Sequence, residues 1–233
     1  MDAVILAAGL GTRLRPFTLN TPKPLLQVQG RPILDWTLGA LPPAVDRVIV
    51  VVHYLAEQIE NYLASQQRFA QWHTVKQLQP RGTGDALRCC RELVRSSHFL
   101  VLNGDDLFGA RDLAALAIHP AGILVAPVDE PTRFGIVFRK SDGTLLKLEE
   151  KPNLVGTWPA NTGAYVFPRE VFEIELQLSA RGEYEITDYV STLAGRRAVQ
   201  VVEAKFWLPI GTVEVWRKAE ELNLDDVLRA DSG

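Results

Sequence analysis

The sequence predicts an α/β protein with a Rossmann-like, mostly parallel sheet flanked by helices and a small β-rich lobe. Three observations favour this fold. In the first half of the chain, short apolar runs typical of strands alternate with segments of helical periodicity. In the second half, strand patterns are separated by turn residues. The chain of 233 residues is long enough to bury a substantial core around such a sheet.

The first half predicts four strands and three helices in alternation. The strands are expected over residues 3–7, 48–53, 74–78 and 99–102, and the helices over residues 33–41, 56–63 and 86–94. Strands that are linked by helices form βαβ units and pair in parallel. Ligands of such sheets bind at the carboxyl ends of the strands. We therefore expect the glycine-rich loop after the first strand to lie near the polar segment Asn103-Gly104-Asp105-Asp106, which follows the fourth.

The second half predicts the β-rich lobe and a closing helix. Strands 135–140 and 144–149 are joined by Ser141-Asp142-Gly143, whose Asp-Gly pair suits the positive φ angles of a tight hairpin turn. Further strands are expected over residues 162–167 and 199–203, and helices over residues 170–178 and 213–227. No internal repeat or flexible linker interrupts the sequence. We expect one domain over residues 1–233, divided into the halves 1–128 and 129–233.

Composition and charge restrict the class of partner. Hydrophobic residues make up 47% of the chain, but the longest apolar stretches, such as residues 48–52, are strand-sized, so no membrane partner is expected. The formal net charge of −3 argues against nucleic-acid binding. The N-terminus has no basic leader or cleavage site, so we expect a cytoplasmic protein. The two cysteines, Cys89 and Cys90, are neighbours and predict neither a disulfide nor a metal site.

The first candidate for a phosphate-binding element is the glycine-rich loop after the first strand. Residues 6–16 read LAAGLGTRLRP, and Gly9 and Gly11 allow backbone amides to approach a phosphate chain. Two arginines in the same stretch add positive charge. Leu14 replaces the third glycine of the dinucleotide fingerprint, and no Gly-Lys-Ser/Thr follows, so neither that motif nor the P-loop is present. Taken alone, the loop is equally compatible with a glycine turn that carries exposed arginines.

The next segment, Thr21-Pro22-Lys23-Pro24-Leu25, holds a lysine between two prolines. Prolines restrict the backbone and so confine the ammonium group to a small region, which a surface lysine does not require. Together, LAAGLGTRLRP and TPKP resemble the signature of the sugar-1-phosphate nucleotidyltransferase family, which includes glucose-1-phosphate thymidylyltransferases and uridylyltransferases and N-acetylglucosamine-1-phosphate uridylyltransferases. The resemblance extends over nearly the whole chain, and further motifs follow in the family's order.

The resemblance implies a nucleoside triphosphate site in residues 1–128. It assigns Arg13 and Lys23 to catalysis, where both cations oppose the charge that develops in the transition state. The segment 77–86 is similar to the family's base-reading stretch, so Gln77 and Gly82 are expected to recognise the base, with uracil or thymine favoured. A polar loop that only caps the following helix is also compatible with this segment. The expected nucleotide-binding residues are Leu6, Ala8, Gly9, Gly11, Thr12, Arg13, Gln77, Gly82 and Thr83.

The resemblance also implies Mg²⁺ as a cofactor. Asp105 corresponds to the family's metal-binding aspartate, and carboxylate oxygens suit a hard cation. A turn with solvated acids is the alternative. Many relatives carry a second metal-binding aspartate near the C-terminus, where this chain has Pro209 in the segment Trp207-Leu208-Pro209-Ile210-Gly211-Thr212. Asp106, a phosphate oxygen or water is then left to complete the site.

Motifs in residues 129–233 imply a sugar-phosphate site, which makes the β-rich lobe the sugar-binding lobe. Phe134-Gly135-Ile136-Val137 resembles the family's strand with a sugar-contacting glycine, and Glu149-Glu150-Lys151-Pro152 resembles its acidic-Lys-Pro motif. Asn161-Thr162-Gly163 resembles a further sugar-binding strand, and Tyr184-Glu185-Ile186-Thr187-Asp188 resembles a motif of thymidylyltransferases, although Glu185 also suits a helix-start acid. The expected sugar-phosphate-binding residues are Gly135, Glu150, Lys151, Asn161, Gly163 and Glu185.

As a whole, the resemblance implies an enzyme that joins UTP or dTTP to a hexose 1-phosphate of the glucose or N-acetylglucosamine type and releases pyrophosphate. Two alternatives stay open. The first is a transferase for another phosphorylated acceptor, such as phosphocholine or a heptose phosphate. The second, suggested by Pro209, is a non-catalytic regulatory subunit that binds nucleotide sugars. The apolar stripe of the closing helix is compatible with core packing and, in part, with contact between copies in a homo-oligomer.

Overall fold

A nine-stranded mixed sheet forms the centre of the computed structural model, which describes residues 1–225. The described strands are β1 (Asp2–Leu6), β2 (Gln27–Val28), β3 (Arg31–Pro32), β4 (Arg47–Val52), β5 (Gln71–Lys76), β6 (His98–Asn103), β7 (Asp106–Phe108), β8 (Gly122–Val128), β9 (Gly135–Arg139), β10 (Leu145–Glu150), β11 (Trp158–Pro168), β12 (Gln200–Glu203) and β13 (Trp207–Pro209). Seven of them cross the sheet in the order β10-β9-β11-β6-β1-β4-β5, and β8 and β12 extend it from β11. The pairs β2–β3 and β7–β13 form two small separate sheets.

The first half of the chain forms the parallel part of the main sheet. β1 lies between β4 and β6 and pairs with both in parallel, and β4 pairs in parallel with β5. In this register, Ile5 lies opposite Val50 and Leu102. The second half adds antiparallel strands, because β11 pairs in this sense with β6, β8 and β9, and β9 pairs with β10. The predicted Rossmann-like, mostly parallel sheet with a β-rich addition is confirmed.

Helices cover both faces of this sheet. The described α-helices are α1 (Ile33–Ala40), α2 (Ala56–Ser65), α3 (Thr83–Arg88), α4 (Ala110–Ala117), α5 (Ile186–Arg196) and α6 (Val213–Ala219). Side chains alternate between the faces along a strand. Val4 and Leu6 therefore share a core with α3 and α5, whereas Ala3 and Ile5 share a core with α1, α2 and α4. Within residues 1–225, each helix is too short or too polar to cross a lipid bilayer.

A third apolar core anchors the segment between β1 and α1. It joins Leu14, at the end of the glycine-rich loop, to Trp36 of α1 and Ala219 of α6. The indole N–H of Trp216 donates to the carbonyl of Gln27, with 2.8 Å between the two atoms. For the described residues, the interpretation of the closing helix as a core element is confirmed, and the same packing fixes the glycine-rich loop.

The helix predicted over residues 170–178 is wrong. A 3₁₀ turn spans Arg169–Glu173, and no further helix begins before Ile186. Phe172 and Ile174 are buried, and Leu176 packs against the same core. Val171 is buried as well, next to Phe172 in the turn. After the turn, the contacts of Ile174 and Leu176 suit an extended chain, so contact with the core outweighs the helical pattern.

Two predicted helices are shorter in the structure. α3 ends at Arg88, and turns continue to Leu93, whereas the prediction extended to residue 94. α6 ends at Ala219, and residues 226 and 227 of the predicted closing helix lie outside the described residues. The strand β8, the helix α4 and the short pairs β2–β3 and β7–β13 were not predicted.

Candidate active site

The glycine-rich loop and the polar segment after β6 lie at one edge of the sheet, as the sequence predicts. Gly104 donates its backbone N–H to the carbonyl of Leu6 at 2.9 Å, which joins the ends of β6 and β1. The hydroxyl of Thr18 donates to the carbonyl of Gly11 at 2.8 Å. Leu14 is buried and holds the end of the loop against the third core. The loop is therefore fixed on both sides.

A cavity of about 310 Å³, which we call the loop cavity, opens beside this loop. The predicted nucleotide and metal residues in its lining are Leu6, Ala8, Gly9, Gly11, Lys23, Gln77, Gly82, Thr83 and Asp105. Thr12 is exposed at the start of a 3₁₀ turn and does not line it. Most of the residues expected to bind the nucleotide thus come together at one concave surface. Their individual roles stay predictions.

Lys23 is the buried cation of the site. Only 6% of its surface is exposed. The two prolines around it hold a 3₁₀ turn, in which the N–H of Leu25 donates to the carbonyl of Pro22 at 2.8 Å. The ammonium group donates to Asp105, with 2.5 Å between Nζ and Oδ2. Because the Asp105 side chain is 37% exposed, the ion pair joins a buried cation to an accessible anion.

Gln77, the first residue of the segment 77–86, is held by hydrogen bonds from both its backbone and its side chain. It is 3% exposed, and its backbone N–H donates to the carbonyl of Val52 at 2.9 Å. Its side-chain amide donates to the carbonyl of Gly82 at 3.1 Å and to Asp85 at 3.0 Å. Gly82 has a φ of +103°, and a Cβ there would lie 2.4 Å from the carbonyl oxygen of Tyr184. This turn therefore requires glycine.

A second cavity of about 420 Å³, which we call the lobe cavity, lies on the side of the β-rich lobe. The predicted residues in its lining are Arg13, Lys23, Thr83, Asp105, Glu150, Asn161, Gly163 and Glu185. Two predicted sugar-phosphate residues are not in this lining. Gly135 lies opposite Glu150 in the β9–β10 pair, and Lys151 is exposed with a φ of 47°. The contact of both with a sugar phosphate stays a prediction.

The two cavities meet at the Lys23–Asp105 ion pair. The residues that line both are Lys23, Thr83, Asn103 and Asp105. The side chain of Asn103 reaches this position because Gly163, which packs against it, has no side chain. Gly163 has a φ of +80°, and a Cβ there would lie 2.0 Å from Nδ2 of Asn103. Two concave sites with a shared cation and a shared carboxylate are thus placed side by side.

Asp106 is a buried carboxyl group in the lining of the lobe cavity. Burial raises the pKa of this carboxyl group well above its usual range; the charge of Asp105 adds to the rise, and that of Lys23 opposes it. The indole N–H of Trp207 donates to its Oδ2 at 3.4 Å. Pro209 lies opposite Asp106 in the β7–β13 pair and also lines the cavity. The position that the resemblance links to a second aspartate therefore lies beside a carboxyl group that this chain retains.

Two further acids of the lobe cavity lie near one arginine. Arg181 pairs with Glu185, with 2.8 Å between Nη2 and Oε1, and the hydroxyl of Ser179 donates to the same oxygen at 3.2 Å. Partial burial raises the pKa of Glu150, and the charge of Arg181 opposes this effect. The cavity therefore presents carboxylate acceptors, which suit the hydroxyl groups of a sugar.

The protein-family model for nucleotidyl transferases matches residues 2–225. The chain belongs to the nucleotidyl transferase family. Bifunctional protein GlmU of Methanocaldococcus jannaschii is 33% identical to it over 214 residues, which are 91% of this chain and 51% of GlmU. The low-salt glycan biosynthesis nucleotidyltransferase Agl11 of Haloferax volcanii is 32% identical over an alignment of 238 positions, gaps included, which covers 97% of this chain and 67% of Agl11.

A solved structure from Bacillus anthracis, assigned as a glucose-1-phosphate thymidylyltransferase, has the same fold as this nucleotidyl transferase. The TM-score is 0.85 at 28% identity, and the match covers 97% of this chain and 96% of that chain. The chain spans about half the length of the GlmU proteins that it matches. The predicted family and fold are confirmed by these matches.

Several side chains that this nucleotidyl transferase brings to its cavities were not predicted from the sequence. Asn103 lines both cavities, and Arg133 and Trp207 line the lobe cavity. Asp85 contacts Gln77 directly. Each of these residues lies next to or within a predicted motif, and this position in the sequence is the signal from which they could have been predicted.

Proposed function

We propose that the protein is a sugar-1-phosphate nucleotidyltransferase that uses UTP or dTTP and a hexose 1-phosphate of the glucose or N-acetylglucosamine type. The observation that carries this proposal is the meeting of two cavities at the Lys23–Asp105 pair. A reaction between two phosphorylated substrates needs two adjoining sites and positive charge between them. The names of Agl11 and of the Bacillus anthracis protein, a nucleotidyltransferase and a glucose-1-phosphate thymidylyltransferase, support the same reaction class.

In the proposed reaction, an oxygen of the sugar phosphate attacks the α-phosphorus of the triphosphate. The new P–O bond forms as the bond between the α-phosphorus and the bridging oxygen breaks, and that oxygen leaves with pyrophosphate. Lys23 and Arg13 both line the lobe cavity, where they offset the repulsion between the two anions and the charge of the transition state. The reaction requires no protein nucleophile.

We assign the loop cavity to the triphosphate. Gly9 and Gly11 lie in its lining, and their position in the loop lets backbone N–H groups approach phosphate oxygens. Gln77 and Gly82, in the same lining, are assigned to the pyrimidine edge. Thr12 is assigned to the phosphates from the rim of the loop.

We assign the lobe cavity to the hexose 1-phosphate. The carboxylates of Glu150 and Glu185 and the amide of Asn161 lie in its lining. Asn161 is ordered by two contacts: its side-chain amide donates to the hydroxyl of Tyr165 at 2.7 Å, and its oxygen accepts from the N–H of Gly163 at 3.0 Å. Lys151, exposed after β10, is assigned to the sugar phosphate.

Asp105 is assigned to Mg²⁺. Residues 1–225 contain no group of three or more His, Cys, Asp or Glu side chains that could hold a metal. Mg²⁺ at phosphate sites is often held by one or two carboxylates together with phosphate oxygens and waters, so the accessible carboxylate of Asp105 fits this ion. Asp106 is the neighbouring carboxyl group. When bound, the ion would neutralise phosphate charge beside Lys23.

Pyrophosphate release tests the proposal. The protein with Mg²⁺ is given UTP, dTTP, CTP, GTP or ATP, each combined with glucose 1-phosphate, N-acetylglucosamine 1-phosphate, a heptose phosphate or phosphocholine. We expect release with UTP or dTTP and a hexose 1-phosphate, and a nucleotide sugar in the mass spectrum of the products. Release with another acceptor alone would favour the first alternative. Binding of nucleotide sugars without release from any pair would refute catalysis and favour the regulatory subunit that Pro209 suggests.

A further inference from the structure

Asp85 is a buried carboxylate within the base-reading segment, and the roles assigned above do not include it. Its side chain is 6% exposed in the first turn of α3. One oxygen, Oδ1, pairs with Arg88 at 2.7 Å and with Arg81 at 3.4 Å. The other, Oδ2, accepts from Nε2 of Gln77 at 3.0 Å. Both oxygens are therefore engaged, and one of them faces the residue assigned to the base.

The two arginines that pair with Asp85 are themselves packed against one ring. The guanidinium carbon of Arg88 lies 5.1 Å from the ring centroid of Tyr184, and that of Arg81 lies 5.7 Å from it. Cations over an aromatic face are attracted to it. Asp85 is thus held by a small network that includes Gln77 and two half-exposed arginines, both of which pack against Tyr184.

The amide of Gln77 has one favourable orientation in this network. Its Nε2 donates both to Asp85 and, at 3.1 Å, to the carbonyl of Gly82. A carbonyl and an ionised carboxylate are acceptors only, so a flipped amide would set Oε1 against two acceptors and lose both hydrogen bonds. The backbone of Gln77 is held as well, since its backbone carbonyl oxygen lies 2.7 Å from Nδ1 of His53.

This orientation leaves Oε1 of Gln77 for a ligand. Gln77 lines the loop cavity. Within residues 1–225, Oε1 of Gln77 receives no hydrogen bond. If this oxygen were fully buried it would be a buried polar atom without a partner, but among the described side chains that holds for Nε of Arg139 alone. Oε1 therefore keeps accessible surface. An oxygen acceptor binds the ring N–H that uracil, thymine and guanine carry. It repels the ring-nitrogen lone pair that cytosine and adenine present instead.

We propose that Asp85 is a positioning residue that sets base specificity, because it holds the Gln77 amide so that the site admits triphosphates whose base carries a ring N–H and excludes those of cytosine and adenine. The inference rests on the proposed function, which assigns the base to the loop cavity. An acid that only stabilises the start of α3 would not change which base binds, so the two roles are distinguishable.

Asp85→Asn tests the inference. The variant keeps the shape of the side chain, but its amide donates as well as accepts, so Gln77 loses one of the two contacts that fix its orientation. We expect the wild type to prefer UTP over CTP in kcat/KM, and this preference to fall by about tenfold or more in the variant. The change is expected mainly in KM, because Asp85 does not line the shared region of the cavities. Calorimetric binding of UDP and CDP is expected to lose the same preference.

Asp2→Asn is the matched control. Asp2 is another buried aspartate, 2% exposed, whose carboxylate pairs with Arg47 at 2.7 Å and lines neither cavity. Its substitution is expected to lower the melting temperature and to leave the UTP-to-CTP preference unchanged. If Asp85→Asn does not fold by circular dichroism, Asp85→Ser replaces it, since a hydroxyl donates or accepts and suits the first turn of a helix.

An unchanged preference in a folded Asp85 variant would overturn the inference, as would a wild type that binds CDP as tightly as UDP. Failure of the proposed function has a different signature. The wild type would then release no pyrophosphate with any triphosphate, while the binding of UDP and CDP to the two proteins would still decide the role of Asp85. A wild type that binds neither diphosphate would overturn both.

Discussion

Lys23→Met removes the buried cation between the two cavities and is expected to reduce catalysis. Methionine keeps the apolar stem of lysine and fills a similar space, but it carries no charge. Lys23 lies in both cavity linings, so in the proposed reaction its charge acts where the two phosphate groups meet. Loss of one preorganised group that stabilises a transition state lowers kcat by about 10²–10³-fold, which corresponds to about 2.7–4 kcal/mol. We expect a loss of this size.

The stability of Lys23→Met is expected to change much less. Breaking a buried ion pair costs about 3–5 kcal/mol when the partner stays buried and charged. Here the remaining partner, Asp105, has a side chain that is 37% exposed, so water can solvate its charge. Methionine also leaves no unpaired polar atom at a position that is 7% exposed. We therefore expect a cost of about 1–2 kcal/mol, which leaves the protein folded at room temperature.

Two measurements separate these effects. Initial rates of pyrophosphate release at saturating substrates give kcat, and urea unfolding gives the free energy of unfolding. Lys147→Met is the control, because Lys147 is an exposed lysine paired with Glu149 at 2.8 Å, and it is expected to keep both quantities. A folded Lys23→Met protein with kcat within about threefold of the wild type would refute the electrostatic reasoning. A loss of activity that follows the unfolded fraction would also refute it.

Three further results are expected. Chelation of divalent cations by EDTA abolishes pyrophosphate release and added Mg²⁺ restores it; full activity in EDTA would contradict the assignment of Asp105. Gly82→Ala sets a Cβ 2.4 Å from the Tyr184 carbonyl, so it raises KM for the triphosphate and lowers stability by about 1–3 kcal/mol. Gly143→Ala, with a φ of +82° but no atom within 4 Å, is its control and keeps KM. Burial by itself raises the pKa of Asp2, but hydrogen bonds from Arg47 and from the N–H groups of Ser96 and Arg95 outweigh it and lower the pKa from 3.8 to about 2. The ionised Asp2 side chain therefore stabilises the fold fully above its unfolded pKa, and this stabilisation is lost as pH falls through the folded value. Asp2→Asn is expected to remove about 2 kcal/mol of pH-dependent stability in urea unfolding, and an equal pH slope in both proteins would contradict the assignment.

The parallel part of the sheet could be predicted because its strands carry their own signal. In β4, residues 48–52 are buried on both faces of the sheet and read as a continuous apolar segment. β8 has a similar buried apolar run at residues 122–126, so a missing signal does not explain why it was not predicted. Its place in the sheet depends on pairing with β11 and β12, which lie far along the chain. The segment after residue 169 contains apolar residues that fit a helix and an extended chain alike, and only contact with the core decides between them. The local periodicity of a sequence contains no information about such contacts.

The residues of the candidate site also differ in how far the sequence could predict them. The glycine-rich loop stands out because glycines allow close approach to the backbone, and Lys23 stands out because the prolines on either side of it restrict the backbone; the family resemblance then assigns both. The partner of Lys23 is 82 residues away, so nothing local predicts the ion pair with Asp105. The role of Asp85 is similarly hidden, since an acid in the first turn of a helix is ordinary and only the hydrogen bond to Gln77 makes it specific.

The region between the two cavities is built from both halves of the chain. The carbonyl of Tyr184 accepts from the N–H of Gly84 at 2.8 Å, and the N–H of Ile186 donates to the hydroxyl of Thr83 at 3.1 Å. Glu185 of the lobe cavity therefore lies between two residues that are hydrogen-bonded to Thr83 and Gly84. Hydrogen bonds weaken steeply when their partners are displaced. A shift of residues 83 and 84 must consequently move Glu185 or break these bonds, so the shape of the loop cavity and the shape of the lobe cavity depend on the same contacts.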